Sequence, residues 1–323
     1  MNDCAHSKSA EKLLLCWDVK IGKVRHDISL GGSPRRCLQR LAVEDAQGDI
    51  YVLEGIAAEQ AGKRKVQAEI LQLLTQNGLP LLQPWLANMQ GEFLQPDGQQ
   101  FWQLRRYAHG IELPRETYGN DAWRGKAMGD FLTRLRIHAH ALEGLPMPVF
   151  SLTDYINEFL KVLQIRHPAL HSDLLPIWQE LAEFQESYRQ LPLAFCHGDY
   201  HPLNIIWGEE TIHGVIDWEF MGRKVEAWDL ANLLGCLGMD EPAWLTSELA
   251  NTIIKSLHQA GIFHQVTWHW LPELVAALRF AWMREWFHEQ NRKMQIQELD
   301  YLWLLLDNRK LLRQKWAPVS TNG

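Results

Sequence analysis

Several things are missing from this chain, and each absence closes off a class of protein. None of its 323 residues belongs to an apolar run approaching about eighteen in a row, so no membrane span is expected. Met1 to Ser9 is polar and lacks the apolar core of a signal peptide, which points to a cytoplasmic protein. Basic excess is missing too. With 32 Lys and Arg against 39 Asp and Glu, the net charge is −7, too acidic for nucleic acid to be the main partner. The five cysteines (Cys4, Cys16, Cys37, Cys196, Cys236) are scattered, odd in number and without C-x-x-C spacing. They read as reduced thiols, neither a disulfide frame nor a zinc site. No internal repeat or low-complexity tract interrupts the chain.

What is present is an ordinary soluble composition, 46% hydrophobic and 22% charged, in a chain long enough for two domains. Its informative stretch is Phe195-Cys-His197-Gly-Asp199-Tyr-His-Pro-Leu-Asn204-Ile-Ile-Trp207, closed by Val215-Ile-Asp217-Trp-Glu219. Ile205 to Trp207 reads as a strand, Gly208 to Thr211 as a turn and Gly214 to Ile216 as the return strand. A hairpin brings its outer ends together, so Asn204 and Asp217 are expected side by side, with Asp199 on the loop entering it. Two carboxylates and one amide oxygen suit a hard cation. Mg²⁺ takes oxygen ligands, keeps waters, and is held by one or two carboxylates plus substrate phosphates. The third group is free to accept the proton of an attacking hydroxyl. The bland alternative is a structural loop whose Asp and Asn only cap turns.

Taken together, His197-Gly-Asp199-Tyr-His-Pro-Leu-Asn204 and Ile216-Asp217-Trp-Glu219 resemble the aminoglycoside phosphotransferase and choline kinase superfamily. The likeness is sharpest over residues 194 to 235. It implies an α+β, protein-kinase-like two-lobed fold: a small N-lobe with an antiparallel sheet and a larger, mostly helical C-lobe. It also implies Mg²⁺, ATP or GTP as co-substrate, and a small molecule whose hydroxyl accepts the γ-phosphoryl. By the resemblance Asp199 is the catalytic base, Asn204 and Asp217 hold the metal, and His197 and Asp229 support the loop. The expected layout is a loose arm over 1–12, the nucleotide-covering lobe over 13–110, the helical lobe over 111–316 and a tail over 317–323.

In the N-terminal part, Leu38 to Val43 and Ile50 to Leu53 read as strands around the turn Gln47-Gly48-Asp49. Gly31-Gly32-Ser33 sits just before them, either as a phosphate-covering loop or as a plain hairpin turn, since the full G-x-G-x-x-G spacing is missing. Lys63 to Gln76 reads as a helix with Val66, Ile70, Leu73 and Leu74 on its apolar face. Glu69 on it matches the relatives' partner carboxylate, or is a solvated partner of Lys65. A hairpin is expected from Gly91–Leu94 through Pro96-Asp97-Gly98 to Phe101–Leu104. Arg106, Tyr107 and Ala108 then resemble the lobe connector whose backbone holds the nucleobase. One departure stands out. Where relatives carry a phosphate-anchoring lysine, this strand has Glu54. The alignment is shifted, or a cation from Lys63, Arg64, Lys65 or Arg40 substitutes, or nucleotide binding is weak or lost. The last option defines the rival reading, a kinase-like binding or regulatory module without activity.

Beyond Leu113 the pattern is helical apart from the central hairpin. His138, His140, His167 and His171 lack a completing Glu or Cys and read as surface residues. The tryptophans from Trp207 onward form either core or an aromatic wall for an ammonium group. Glu219, Glu226, Asp240 and Glu241 are solvated loop acids or complements to a cationic acceptor. No Ala-Pro-Glu motif follows Asp217, which argues against a protein kinase. Neither the acceptor nor the oligomeric state is specified.

Overall fold

The structure is a computed structural model that describes residues 10–30 and 37–317. It divides into two compact units, one reaching Ile111 and taking in Ala141–Glu143 and His213–Ile216, the other holding the remainder.

The first unit is built on a six-stranded sheet. Strands β1 (Ile21–Val24), β2 (Gln39–Asp45), β3 (Ile50–Ala57), β6 (Gln100–Arg106) and β4 (Trp85–Leu86) lie in that order, and β5 (Gln95–Asp97) also pairs with β6. All these pairings are antiparallel. Aliphatic β3 is buried on both faces, with Val52, Leu53 and Ile56 fully covered, as a central strand of this composition should be. The β2–β3 turn is set by Asp45, whose Oδ1 accepts the N–H groups of Gln47 and Asp49 at 2.9 Å, and by Gly48 at φ +90°.

Of the expected loose arm over 1–12, residues 1–9 lie outside the described residues and 10–12 are not loose. Residues 10–14 are helical, and Ala10, Leu13 and Leu14 join Trp17, Val43 and Leu53 in one apolar cluster. Helix α1 (Ala61–Gln76) buries Gln67, Ala68, Ile70, Leu71 and Leu74. That stripe is rotated by about one position from the expected one, and Val66 is left 53% exposed. The residues at 67, 70, 71 and 74 follow helical spacing just as well, and the small Ala68 lets that face approach the sheet. Residues 91–94 form no strand. Asn88 Oδ1 accepts the N–H groups of Gln90 and Glu92, which commits that backbone to a loop. The hairpin instead runs from β5, with Asp97 opposite Gln100.

The second unit is mostly helical: α2 (Ala122–His138), α3 (Leu152–Arg166), α4 (Pro168–Glu180), α5 (Ala182–Tyr188), α6 (Trp228–Asp240), α7 (Glu248–Ala260), α8 (Gln265–His269), α9 (Leu271–His288) and α10 (Arg292–Trp316). Pro168 starts α4 at its first turn, with His167 outside the helix. A Cβ on Gly125 would lie 2.3 Å from the Leu249 carbonyl, and one on Gly129 would lie 3.0 Å from Ser256. These two glycines, one turn apart, let α2 and α7 pack with their backbones close. Between α9 and α10, Arg279 and Glu298 form a fully buried two-pronged ion pair at 2.6 and 2.8 Å. Glu226 is also buried, not solvated. It accepts the His264 N–H and the Thr267 hydroxyl and pairs with Arg136, so it fixes the start of α8. Among the described residues no helix is long and apolar enough to cross a membrane.

Candidate functional site

Within the second unit, β7 (Leu193–Cys196) leads into the loop 197–201. The chain then passes through a short turn at Pro202–Asn204 to β8 (Ile205–Trp207) and on to β9 (Ile212–Val215), whose residues from His213 group with the first unit. The return strand begins two residues earlier than the sequence suggests, because the Gly208 N–H donates to the Thr211 carbonyl and closes the turn there. After Asp217 comes β10 (Gly222–Val225), antiparallel to β7 with Gly222 opposite Cys196. This ribbon ties together the loop that follows β7 and the loop that precedes β10. The approach is close. A Cβ on Gly198, which sits at φ +92°, would lie 2.0 Å from the Phe220 carbonyl oxygen. The His197 ring packs against the Trp218 ring, centroids 4.4 Å apart.

Asp229, near the start of α6, is buried and accepts the N–H groups of His197 and Gly198, each at 2.8 Å. Burial pushes its pKa up, while His197 and the two N–H donors pull against that rise. His197 Nδ1 accepts the Asp199 N–H at 3.2 Å, and Trp228 Nε1 donates to the Gly198 carbonyl at 3.0 Å. Three N–H groups and one carbonyl of the bend before Asp199 are therefore held by side chains.

Asp199 carries a side chain that is 13% exposed. Asn204 Nδ2 donates to its carbonyl oxygen at 2.8 Å and to its Oδ2 at 3.1 Å. The nitrogen also lies 3.1 Å from His201 Nε2. The two Asp199 oxygens only accept here, which sets the amide nitrogen toward them and the amide oxygen away. His201 Nδ1 takes the Leu203 N–H, and its Nε2 stands 3.5 Å from Asp199 Oδ1. Asp217 adopts the left-handed conformation (φ 63°, ψ 56°), unusual outside glycine and tolerated best by Asn and Asp. Such backbone outliers gather where function imposes geometry.

The residues present fit a hard cation of the Mg²⁺ kind. Asn204 offers an amide oxygen turned away from the Asp199 acceptors, and Asp217 offers a carboxylate in the bend after β9. Among the described residues no three His, Cys, Asp or Glu side chains form a metal cluster. An amide oxygen and one carboxylate are instead the sparse donor set that suits a cation completed by water and phosphate.

The structure draws Asp199, Asn204, His197 and Asp229 into one hydrogen-bonded group, with Asp217 directly before the Trp218 that packs on His197. The candidates in the first unit stand differently. Gly31, Gly32 and Ser33 lie outside the described residues. Glu69 is exposed on α1, one turn after Lys65, which pairs with Glu92 at 2.9 Å. Arg106 ends β6 and pairs with Asp49 at 3.2 Å. It also lines a cavity of about 210 Å³ with Thr75, Leu79, Leu82 and Leu86. Tyr107 donates its N–H to the Ile50 carbonyl at 2.8 Å, and Ala108 beside it is half-buried. Glu54 is 3% exposed in mid-sheet, with Arg40 Nε at 2.8 Å on the neighbouring β2 and Gln103 Nε2 at 3.1 Å on β6. Its charge is thus matched by the strand beside it.

One residue that pattern reading passes over also belongs to this group: Asn232, which reaches Asp199 from α6. Trp282 on α9, one of the tryptophans weighed as core or aromatic wall, donates its N–H to Asn232 at 3.4 Å. Asn232 stands three residues after Asp229 on the same helical face, and that spacing is the signal that marks it.

Solved structures with the same fold are phosphotransferases of the kinase-like type. Amicoumacin kinase, in complex with AMP-PNP and Ca²⁺, superposes with a TM-score of 0.66 at 15% identity over 96% of this chain and 93% of its own. The GDP complex of aminoglycoside 2′-phosphotransferase-IIIa gives 0.64 at 14% identity over 96% and 100%. A choline/ethanolamine kinase family protein from Mesorhizobium loti gives 0.63 at 18% identity over 91% of each chain. The fold is therefore kinase-like, α+β, with an antiparallel sheet in the N-terminal part and helices in the C-terminal part.

The sequence profile of the phosphotransferase enzyme family, APH, matches residues 39–274. The chain belongs to that family. A homoserine kinase from Zymomonas mobilis subsp. mobilis is 31% identical over 100 residues, which span 30% of this chain and 31% of that enzyme's length.

Proposed function

We propose that this protein transfers the γ-phosphoryl group of ATP or GTP to a hydroxyl of a small molecule, with Mg²⁺ as cofactor. The observation that carries the reading is the orientation of Asn204, whose amide nitrogen is committed to Asp199 and whose oxygen is thereby turned outward as a ligand atom. In this reaction the acceptor oxygen bonds to the γ-phosphorus as the bond to the β–γ bridging oxygen breaks. The hydroxyl proton passes to Asp199, and the nucleoside diphosphate leaves. Bound Mg²⁺ neutralises phosphate charge. The chain's own part is positional: Asn204 and Asp217 hold the ion, His197 and Asp229 fix the bend, and Asp199 meets the hydroxyl.

The acceptor class that heads a trial panel is a small hydroxylated amine or amino acid, because the 100-residue match is to a homoserine kinase. Aminoglycosides and choline follow. Free thiols at Cys16, Cys37, Cys196 and Cys236 suit a reducing, cytoplasmic setting. The test is acceptor-dependent nucleotide consumption across that panel. Asp199→Asn and Asp217→Ala should each lower turnover by about a thousandfold or more with the melting temperature held. Turnover kept in either variant contradicts the assigned roles.

Glu54 favours a second reading, a kinase-like binding module without transfer. A buried carboxylate stands where relatives keep a cation. Arg40 at 2.8 Å supplies the compensating charge and weakens this reading. Phosphorylation of any panel member removes it.

A further inference from the structure

Asp199 is held from two sides: Asn204 donates to Oδ2, and Oδ1, which His201 Nε2 approaches at 3.5 Å, has a further partner. On the other side, Asn232 Nδ2 lies 3.5 Å from Asp199 Oδ1 and 3.3 Å from the Tyr200 carbonyl, and Asn232 itself is 5% exposed. Its Oδ1 faces Trp282 Nε1 at 3.4 Å. An indole N–H only donates, so it dictates which end of the amide it meets. Trp282 is in turn fixed on α9. Its ring lies 5.8 Å from Trp286, and the Arg279 guanidinium sits 5.4 Å from its centroid. Arg279 is locked by Glu298, which also accepts the Trp286 N–H at 3.0 Å.

We infer that Asn232, oriented by Trp282, is a positioning residue for Asp199 in the proposed transfer reaction. The inference rests on the reading of Asp199 as the proton acceptor. One helix, α6, then grips the bend twice. Asp229 receives the backbone N–H groups that precede Asp199. One turn later, Asn232 gives its N–H groups to the Asp199 carboxylate and to the carbonyl just beyond. With Asn204 on Oδ2 and Asn232 on Oδ1, rotation of the carboxylate about its terminal bond is restricted, so the acceptor hydroxyl meets a fixed oxygen. Trp282 supplies the part a plain hydrophobe cannot: without its N–H the amide can turn over and present oxygen to oxygen. A displacement of about 1 Å at such a group costs on the order of a hundredfold in rate.

The experiment uses the full chain and three variants: Asn232→Leu, Asn232→Asp and Trp282→Phe. Crystal structures report the Asp199 side-chain orientation. Nucleotide consumption with homoserine, choline and kanamycin reports kcat and KM. In Asn232→Leu the Asp199 carboxylate should leave its native orientation, with kcat down by about a hundredfold and the nucleotide KM within about twofold. Asn232→Asp, of native shape but with the donor replaced by a like charge, should be no better than Asn232→Leu. Trp282→Phe should fold as the wild type, with a loss of about tenfold carried by kcat. An unmoved carboxylate in Asn232→Leu overturns the inference, and so does a Trp282→Phe variant with native kcat. If Asn232→Leu does not fold, the Asp199 orientation in Trp282→Phe decides alone. If the carboxylate moves but the wild type phosphorylates none of the three acceptors, the positioning role stands and the transferase reading is what fails.

Discussion

Two buried carboxylates, one in each unit, are neutralised in opposite ways. Asp229 receives two backbone N–H groups at 2.8 Å, with the charges of His197 and Lys224 also acting on it. Glu54 receives one guanidinium at 2.8 Å and one side-chain amide at 3.1 Å. Backbone donors fix the path of the chain, whereas a guanidinium mainly offsets charge. The Asp229 group therefore fixes the start of a bend that Trp228, His197 and Asn204 hold further along. The Glu54 group sits in a sheet whose hydrogen-bond ladder already holds the backbone, and so it is replaceable as a pair. A buried ion pair can often be exchanged for apolar residues with little loss, while breaking it from one side is costly.

That contrast can be broken by substitution. Asp229→Ala strands two buried N–H groups, each worth about 1–3 kcal/mol, so urea unfolding should show a loss near 4 kcal/mol. Asp229→Asn, which still offers one acceptor oxygen, should lose about half as much. Gly198→Ala attacks the same bend sterically, because its Cβ would fall 2.0 Å from a backbone oxygen. It should abolish transfer and lower the melting temperature, and a native-like Gly198→Ala variant would show that the bend is looser than described.

On the Glu54 side, Arg40→Met should cost about 3 kcal/mol by leaving a buried carboxylate alone. The double variant Arg40→Met with Glu54→Leu should return to within about 1 kcal/mol of the wild type. A double variant as unstable as the single one would contradict the idea that this pair only balances its own charge.

The smallest effect concerns pH and a third region. His258 stacks on Trp268, centroids 3.6 Å apart, and bonds the Trp316 carbonyl at 2.9 Å. Burial lowers its pKa from the ordinary 6.5. The folded state then binds fewer protons than the unfolded one as pH falls below 6.5. Its contribution is complete above that pH and drains away as pH drops through the lowered folded value. Stability measured between pH 7.5 and 5 should fall by less than about 1.4 kcal/mol per pH unit from this group. His258→Gln should flatten that part of the curve, and an unchanged slope would assign it elsewhere.

The legibility of the chain follows the same division. The bend around Asp199 could be read in advance because its chemistry is packed into consecutive residues, so spacing alone carries the geometry. Its supports were only half visible. Asp229 had a recognisable place at a helix start and Asn232 is marked by its spacing from it, whereas Trp282 acts through a contact across 50 positions that no local period encodes. On α1, two stripes of apolar and small residues compete, and packing against the sheet chose the one led by Gln67 and Ala68 over the one led by Val66. Glu54 looked anomalous because its partner lies on the neighbouring strand, and register is a property of pairing, not of either strand alone.

The most direct test of the central claim, that Asn204 and Asp217 hold a metal–nucleotide complex beside Asp199, is thermal unfolding with millimolar ATP or GTP. Runs with and without Mg²⁺ should be compared in the wild type and in Asp217→Ala. A ligand bound to the native state well above its dissociation constant should raise the wild-type melting temperature by several degrees. The rise should require Mg²⁺ and vanish in Asp217→Ala. A shift that survives without the ion or in that variant, or no shift in the wild type with either nucleotide, contradicts the account.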